Sequence, residues 1–156
     1  MTEYYTQAVV LDKLPHKEQD MRVMLYTQEL GKVAAKVQSA RKITSKLNGH
    51  LEPGNVVAVR IVEKGGLQVV DALTLRRLPA NNLLVLRLVH DLTGEWEPDP
   101  MLWAAAINEQ TTEPQMLQLL GFDVSHATCG ICERRDTLKF SAIALNYFCL
   151  SCYNLK

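Results

Sequence analysis

The sequence predicts a β + α chain. A small five-stranded closed barrel stands at the front, a short helical region follows, and a compact cysteine module ends it. Three observations predict this. Residues 3–78 carry apolar side chains at period 2, broken by turn signals. From residue 80 the apolar period becomes that of helices. All four cysteines fall within the last 28 residues, in the pattern C-x2-C-x16-C-x2-C. The expected boundaries are 1–79 for the barrel, 80–124 for the helical region and 125–156 for the cysteine module.

The strands follow in order. Tyr5 to Leu11 is apolar and β-branched, and Asp12 to Gln19 reads as a polar break carrying Pro15. Asp20 to Thr27 alternates, with Met21, Val23 and Leu25 on one face and Arg22, Met24 and Tyr26 on the other. Glu29-Leu30-Gly31-Lys32 reads as a turn into Val33, Ala35 and Val37, so these two strands form a hairpin. Gln38 to Asn55 is basic, hydroxyl-bearing and interrupted by Gly49, Pro53 and Gly54. It reads as a long connection with one helical turn near Ser45–Asn48. Val56 to Glu63 is a strand, Lys64-Gly65-Gly66 a tight turn, and Leu67 to Leu75 the returning strand. Five strands with a long excursion between the third and fourth fit a small closed barrel. The five-stranded barrel that binds oligonucleotides is one candidate among several.

The helices carry their own punctuation. Asn81 or Asn82 is placed to cap a helix bearing Leu83, Leu84, Leu86, Leu88, Val89 and Leu92, with Gly94 as its stop. Asp99-Pro100 opens a second helix, with Pro at its first position. Thr112-Glu113-Pro114 opens a third, short helix that ends at Gly121. Leu86, Leu88 or Val89, with Leu117 and Leu120, are expected to form a core shared between the barrel and the cysteine module.

Composition excludes several classes. The 156 residues are 47% apolar and 22% charged, which rules out a disordered chain, a coiled coil or collagen. No apolar run is long enough to span a membrane. The N-terminal stretch has no basic segment leading into an apolar one, so no signal peptide is expected. The expected location is the cytoplasm.

The net charge is zero but unevenly spread. Residues 1–79 hold 12 Lys+Arg against 8 Asp+Glu, and residues 80–156 hold 5 against 9. Between 32 and 60 stand Lys32, Lys36, Arg41, Lys42, Lys46 and Arg60, with Glu52 as the lone acid. Such a patch is either a solvated face or the footprint of a phosphate-bearing partner. The six cations are the candidate phosphate-contacting residues. Tyr4, Tyr5 and Tyr26 offer either stacking surfaces or core rings.

Cys129, Cys132, Cys149 and Cys152 have the spacing of a four-thiolate zinc site. Each two-residue spacer lets a pair grip the metal from one tight turn. Thr137 to Phe140 and Ala144 to Phe148 read as the strands of a zinc ribbon. The alternatives are two disulfides, which a cytosolic chain disfavours, or a redox pair, which would not need a second matching pair. One structural Zn2+ is therefore expected, with no position left for a catalytic water. His126 is a competing ligand.

Enzyme signatures are missing: no nucleophile elbow, no phosphate-cradling glycine loop and no H-E-x-x-H. Asp12, Glu18 and Asp20 cluster without forming an acid–base pair. His16, His50 and His90 read as structural or solvated. The chain is expected not to be an enzyme.

Together these residues resemble the RecO family of bacterial recombination and repair proteins. The likeness rests on His16-Lys17-Glu18-Gln19-Asp20, Gly31-Lys32, Ser39-Ala40-Arg41-Lys42, Ser45-Lys46-Leu47, His50-Leu51-Glu52-Pro53 and Gly66-Leu67. It continues through Leu119-Leu120-Gly121-Phe122 into Cys129-Gly130-Ile131-Cys132 and Cys149-Leu150-Ser151-Cys152, which is similar to the zinc-bearing branch. Ser39 stands where the family commonly has Gly, and the helical stretch is short for the family. The resemblance implies an oligonucleotide-binding (OB) barrel, a helical domain and a zinc module. It also implies binding of single- and double-stranded DNA, annealing of complementary strands, and work with RecR and single-stranded-DNA-binding protein to load RecA. It implies no catalysis. The competing expectation is a zinc-ribbon interaction module in transcription or translation, touching protein or RNA.

Overall fold

The computed structural model describes residues 1–38 and 46–154. Five strands close into a barrel: β1 (Thr2–His16), β2 (Asp20–Thr27), β3 (Gly31–Val37), β4 (Asn55–Glu63) and β5 (Leu67–Arg77), in the spatial order β1-β2-β3-β5-β4. The first strand is longer than its apolar run suggested. It pairs with β4 along Thr2–Val9 and with β2 along Ala8–His16, with a bulge between Val10 and Asp12. The polar stretch after Leu11 therefore stays in the sheet. Pro15 falls where β1 has only β2 beside it, and there a missing N–H is tolerated. Closure comes from β3 and β5, which run parallel and meet at Lys36 and Gln68.

The barrel is packed on both sides of β1. Ala8 and Val10 face an interior filled by Val23, Leu25, Val33, Val37, Val57, Val59 and Ile61. Val9 and Leu11 face outward into a second core with Tyr26 and Val56, under the helices. A run of four consecutive buried residues, Ala8 to Leu11, is what two-sided burial requires.

That second core is built by α1 (Asn82–Leu92), α2 (Pro100–Ala106) and α3 (Glu113–Leu119). Val85, Leu86, Val89, Leu102, Trp103, Ala106 and Met116 supply it. The caps of α2 and α3 are as the sequence indicates. Asp99 accepts from the N–H groups of Met101 and Leu102, and Thr112 forms a capping box with Gln115. Asn81 occupies the N-cap position of α1, but its side chain makes no cap bond. Leu120 is only partly buried, and Met116 and Leu117 are the buried residues of α3.

The expected core shared between barrel and cysteine module also needs correction. The helices share a core with the barrel, whereas the module has its own cluster of Cys129, Phe148, Cys149 and Cys152. The module consists of β6 (Leu138–Ser141), β7 (Asn146–Cys149) and the short α4 (Leu150–Tyr153), reached through a 3-10 turn at Val124–His126. It meets the helices through the Phe122, Phe140 and Tyr147 rings and a 2.7 Å bond from the Tyr147 hydroxyl to the Phe122 carbonyl. Among the described residues no helix is long and apolar enough to cross a membrane.

Candidate nucleic-acid interface and metal centre

Two knuckles bring the cysteines together. Cys129 and Cys132 lie in the turn before β6; Cys149 ends β7 and Cys152 lies in α4. Their four Sγ atoms all lie within 4.8 Å of one another. Cys132 and Cys149 stand 3.7 Å apart, too far for a disulfide. Four sulfurs held about 2.3 Å from one metal in a tetrahedron stand about 3.8 Å apart, so this set fits such an ion. His126 is exposed at the end of the 3-10 turn and lies outside the cluster.

Electrostatics within the cluster are uneven. Burial pushes the Cys129 thiol up, but the backbone N–H groups of Cys132, Cys149 and Ile131, with the Cys132 side chain, outweigh it and bring it down to about 6. Cys152 is pushed up to about 12, first by its hydrogen bond with Cys149, then by burial and by the crowding of Cys129 and Cys132. Four sulfurs in contact cannot all ionise without a cation among them. A bound dication removes that conflict, which is the chemistry this donor set suits.

The candidate DNA-binding cations do not all share one surface. Lys32 is buried, and its Nζ donates to the His90 carbonyl in the last turn of α1 at 2.8 Å and to that of the C-cap residue Thr93. This corrects its expected role: it is the cation at a helix C-terminus, where the macrodipole favours positive charge. Arg60 lies on the outer face of β4, opposite Tyr5, with Glu3 3.5 Å away. It shares a groove of about 540 Å3 with Glu29 and Asp71. Lys46 is exposed at the start of the described part of the long connection. Arg41 and Lys42 lie outside the described residues, as does Ser45 of the expected helical turn.

Lys36 belongs to a different concavity. It lines a cavity of about 260 Å3 with His16, Arg22 and the Gly65-Gly66-Leu67 turn. Arg22 and Lys36 stand directly opposite each other across β2 and β3. Asp20 lies 3.4 Å from Lys36. Two like charges in direct cross-strand register oppose folding unless counter-charge is supplied. Lys17 and Lys64, both exposed, stand in the two turns that flank this end of the barrel. Arg22 lies outside the 32–60 run, so charge clustering along the sequence does not single it out. Alternation does separate it from the face of Met21, Val23 and Leu25.

Of the three tyrosines, Tyr26 is buried, Tyr4 packs against the barrel core and Tyr5 is exposed. His50 is structural. Its Nδ1 accepts from the Thr74 N–H at 3.0 Å and stands 2.8 Å from the Thr74 hydroxyl, tying the long connection to β5. A further cleft of about 230 Å3 runs between the helices and β6, lined by Leu88, Pro114, Leu117, Phe140 and Tyr147, with Lys139 and Glu113 as its charged members.

Comparison with known proteins points one way. The profile of the family described as Recombination protein O N terminal matches residues 1–78. A DNA repair protein RecO of Myxococcus xanthus (strain DK1622) is 32% identical over 153 residues, covering 88% of this chain and 63% of the relative. A DNA repair protein RecO of Chlorobium limicola (strain DSM 245 / NBRC 103803 / 6330) is 33% identical over 64 residues, 41% of this chain and 24% of the relative. The chain thus spans less than two thirds of the length of either relative.

Proposed function

Since this chain belongs to the RecO family, we propose that it is a non-enzymatic DNA-binding protein of repair and homologous recombination. Its barrel holds DNA by the phosphates, with little sequence preference, and promotes annealing of complementary strands. The observation that carries this reading is the opposed pair Arg22 and Lys36 facing one cavity, with His16 beside them. In barrels of this type the face of strands 2 and 3 and the turns after strands 1 and 4 bind oligonucleotides. Asp20 offsets one of the two charges, and a phosphate seated there offsets the other. Lys46 is a further phosphate contact of this reading, on the connection that leaves β3, and Arg41 and Lys42 precede it in the sequence.

Cys129, Cys132, Cys149 and Cys152 would hold one structural zinc, which would cross-link the module and supply no reaction chemistry. Cytoplasmic RecR and single-stranded-DNA-binding protein are the partners of this reading, with RecA loading as the outcome. The cleft between α1, α3 and β6 is a concavity of the helical region into which a partner's tail would fit. No step consumes a nucleotide.

Fluorescence anisotropy with labelled single strands tests the proposal. Arg22→Ala with Lys36→Ala is expected to weaken binding uniformly across sequences and to slow annealing. Wild-type protein that binds no DNA at low salt would overturn it.

A further inference from the structure

The stretch from Gly94 to Pro98 is tied to the barrel through its backbone, and the Asp99 side chain after it caps α2. The Trp96 N–H donates to the Lys32 carbonyl at 2.9 Å, and Glu95 forms a bridge with Lys32 at the edge of β3. The Asp99 N–H donates to the Tyr26 hydroxyl at 3.2 Å. At Gly31 a Cβ would lie 2.6 Å from the Glu97 backbone, so the segment is pressed against the β2–β3 turn. Pro98 and Pro100 stiffen it further.

Trp96 itself stays largely outside the core. Trp96 adopts φ 61°, a conformation that bulky residues rarely take. It is 46% exposed, whereas Trp103 is 6% exposed in the core beneath. Glu95 and Glu97 flank it, both exposed, and Met101 is 69% exposed. An aromatic side chain half in water, held in a strained and rigid backbone, brings little to the chain's own core. It is prepaid in conformational freedom for a contact with something else.

We propose that this segment is a protein-docking knob, with Trp96 entering an apolar pocket on a partner whose rim carries lysine or arginine. Charge decides the class of partner. Acidic residues on both sides of Trp96 in the chain, Glu95 and Glu97, disfavour phosphates, while tryptophan platforms for nucleic acid sit in cationic grooves. The knob belongs to the acidic half of the chain, and the cationic cavity belongs to β2, β3 and the β4–β5 turn. Protein and nucleic acid thus have separate surfaces of opposite sign.

This inference rests on the protein partners named above, so RecR and single-stranded-DNA-binding protein of the same organism are the probes. Each is titrated by biolayer interferometry into wild type, Trp96→Ala, and Glu95→Lys with Glu97→Lys. The double charge reversal leaves every buried side chain in place and guards against a folding artefact. One of the two proteins should bind wild type, about tenfold or more weaker to Trp96→Ala. The charge-reversed variant should lose the salt-dependent part of the on-rate. Tryptophan emission should shift to the blue when that partner binds wild type and should not shift in Trp96→Phe. Equal binding by wild type and both variants overturns the knob and leaves the partner reading standing. Binding of neither probe to wild type overturns both. If Trp96→Ala weakens DNA binding and leaves the partner untouched, the segment is a base-stacking platform and the inference fails.

Discussion

Lys32 shows how one residue changes meaning between sequence and structure. In the sequence it is the first of six cations around a loop. In the fold its ammonium is buried at the C-terminus of α1, where it neutralises carbonyls that no helical N–H can reach. Lys32→Met keeps the alkyl stem and removes the donor. It is expected to cost about 1–3 kcal/mol in a urea melt, because two acceptors are left without a partner. DNA affinity should change little. A stable variant with weakened DNA binding would return Lys32 to the interface. The cysteines give the second expectation at this scale. Metal binding needs thiolates, so protons compete with it. The Cys129 pKa is depressed, so its thiolate is present above about pH 6 and is lost as pH falls below that value. Zinc should be retained at pH 8 against a weak chelator and released near pH 5, as followed by a colorimetric zinc indicator. Cys132→Ser should lose the metal at both pH values and unfold the module while the barrel stays intact.

Among the elements, α3 is the most informative. Its seven residues would not hold a helix alone, and a capping box and tertiary packing supply the remainder. Met116 is fully buried between the helices and the barrel, whereas Leu120 lies at the margin of that core. Met116→Ala is therefore expected to cost about 2–5 kcal/mol. Leu120→Ala should cost clearly less, and a urea melt that reverses the order would contradict this packing. The ribbon β6–β7 behaves differently. Two strands of four residues are too few to stand alone in water, so the module depends on its metal and on the Tyr147–Phe122 contact.

Across the whole molecule the charge division has a measurable consequence. A net of zero hides a basic front and an acidic back, so DNA affinity should depend strongly on salt although the pI is near 6.9. Each phosphate neutralised on a single strand contributes about −0.7 to the slope of log K against log salt. Four engaged cations give a slope near −3. Removing Arg22 and Lys36 together should make it shallower by about 1 to 2. An unchanged slope in that variant would mean that the cavity is not on the DNA track.

How much of this was legible beforehand follows from how far each signal reaches along the chain. Period-2 alternation, the Asp99 and Thr112 caps and the cysteine spacing each act within a few residues, so the sequence by itself determined five strands, two capped helices and a four-thiolate module. It located the positive charge as well, but not where each cation goes. Whether a lysine faces water or a helix end depends on an element 58 residues away. That Arg22 joins Lys36 depends on the β2–β3 register and on a turn brought over by barrel closure. The same limit hid the full length of β1, whose polar end is held by pairing with β2 rather than by burial of its side chains. Local propensity and spacing are properties of neighbours in the chain. Burial, charge pairing and the sharing of a cavity are properties of neighbours in space, and only the tertiary structure decided those.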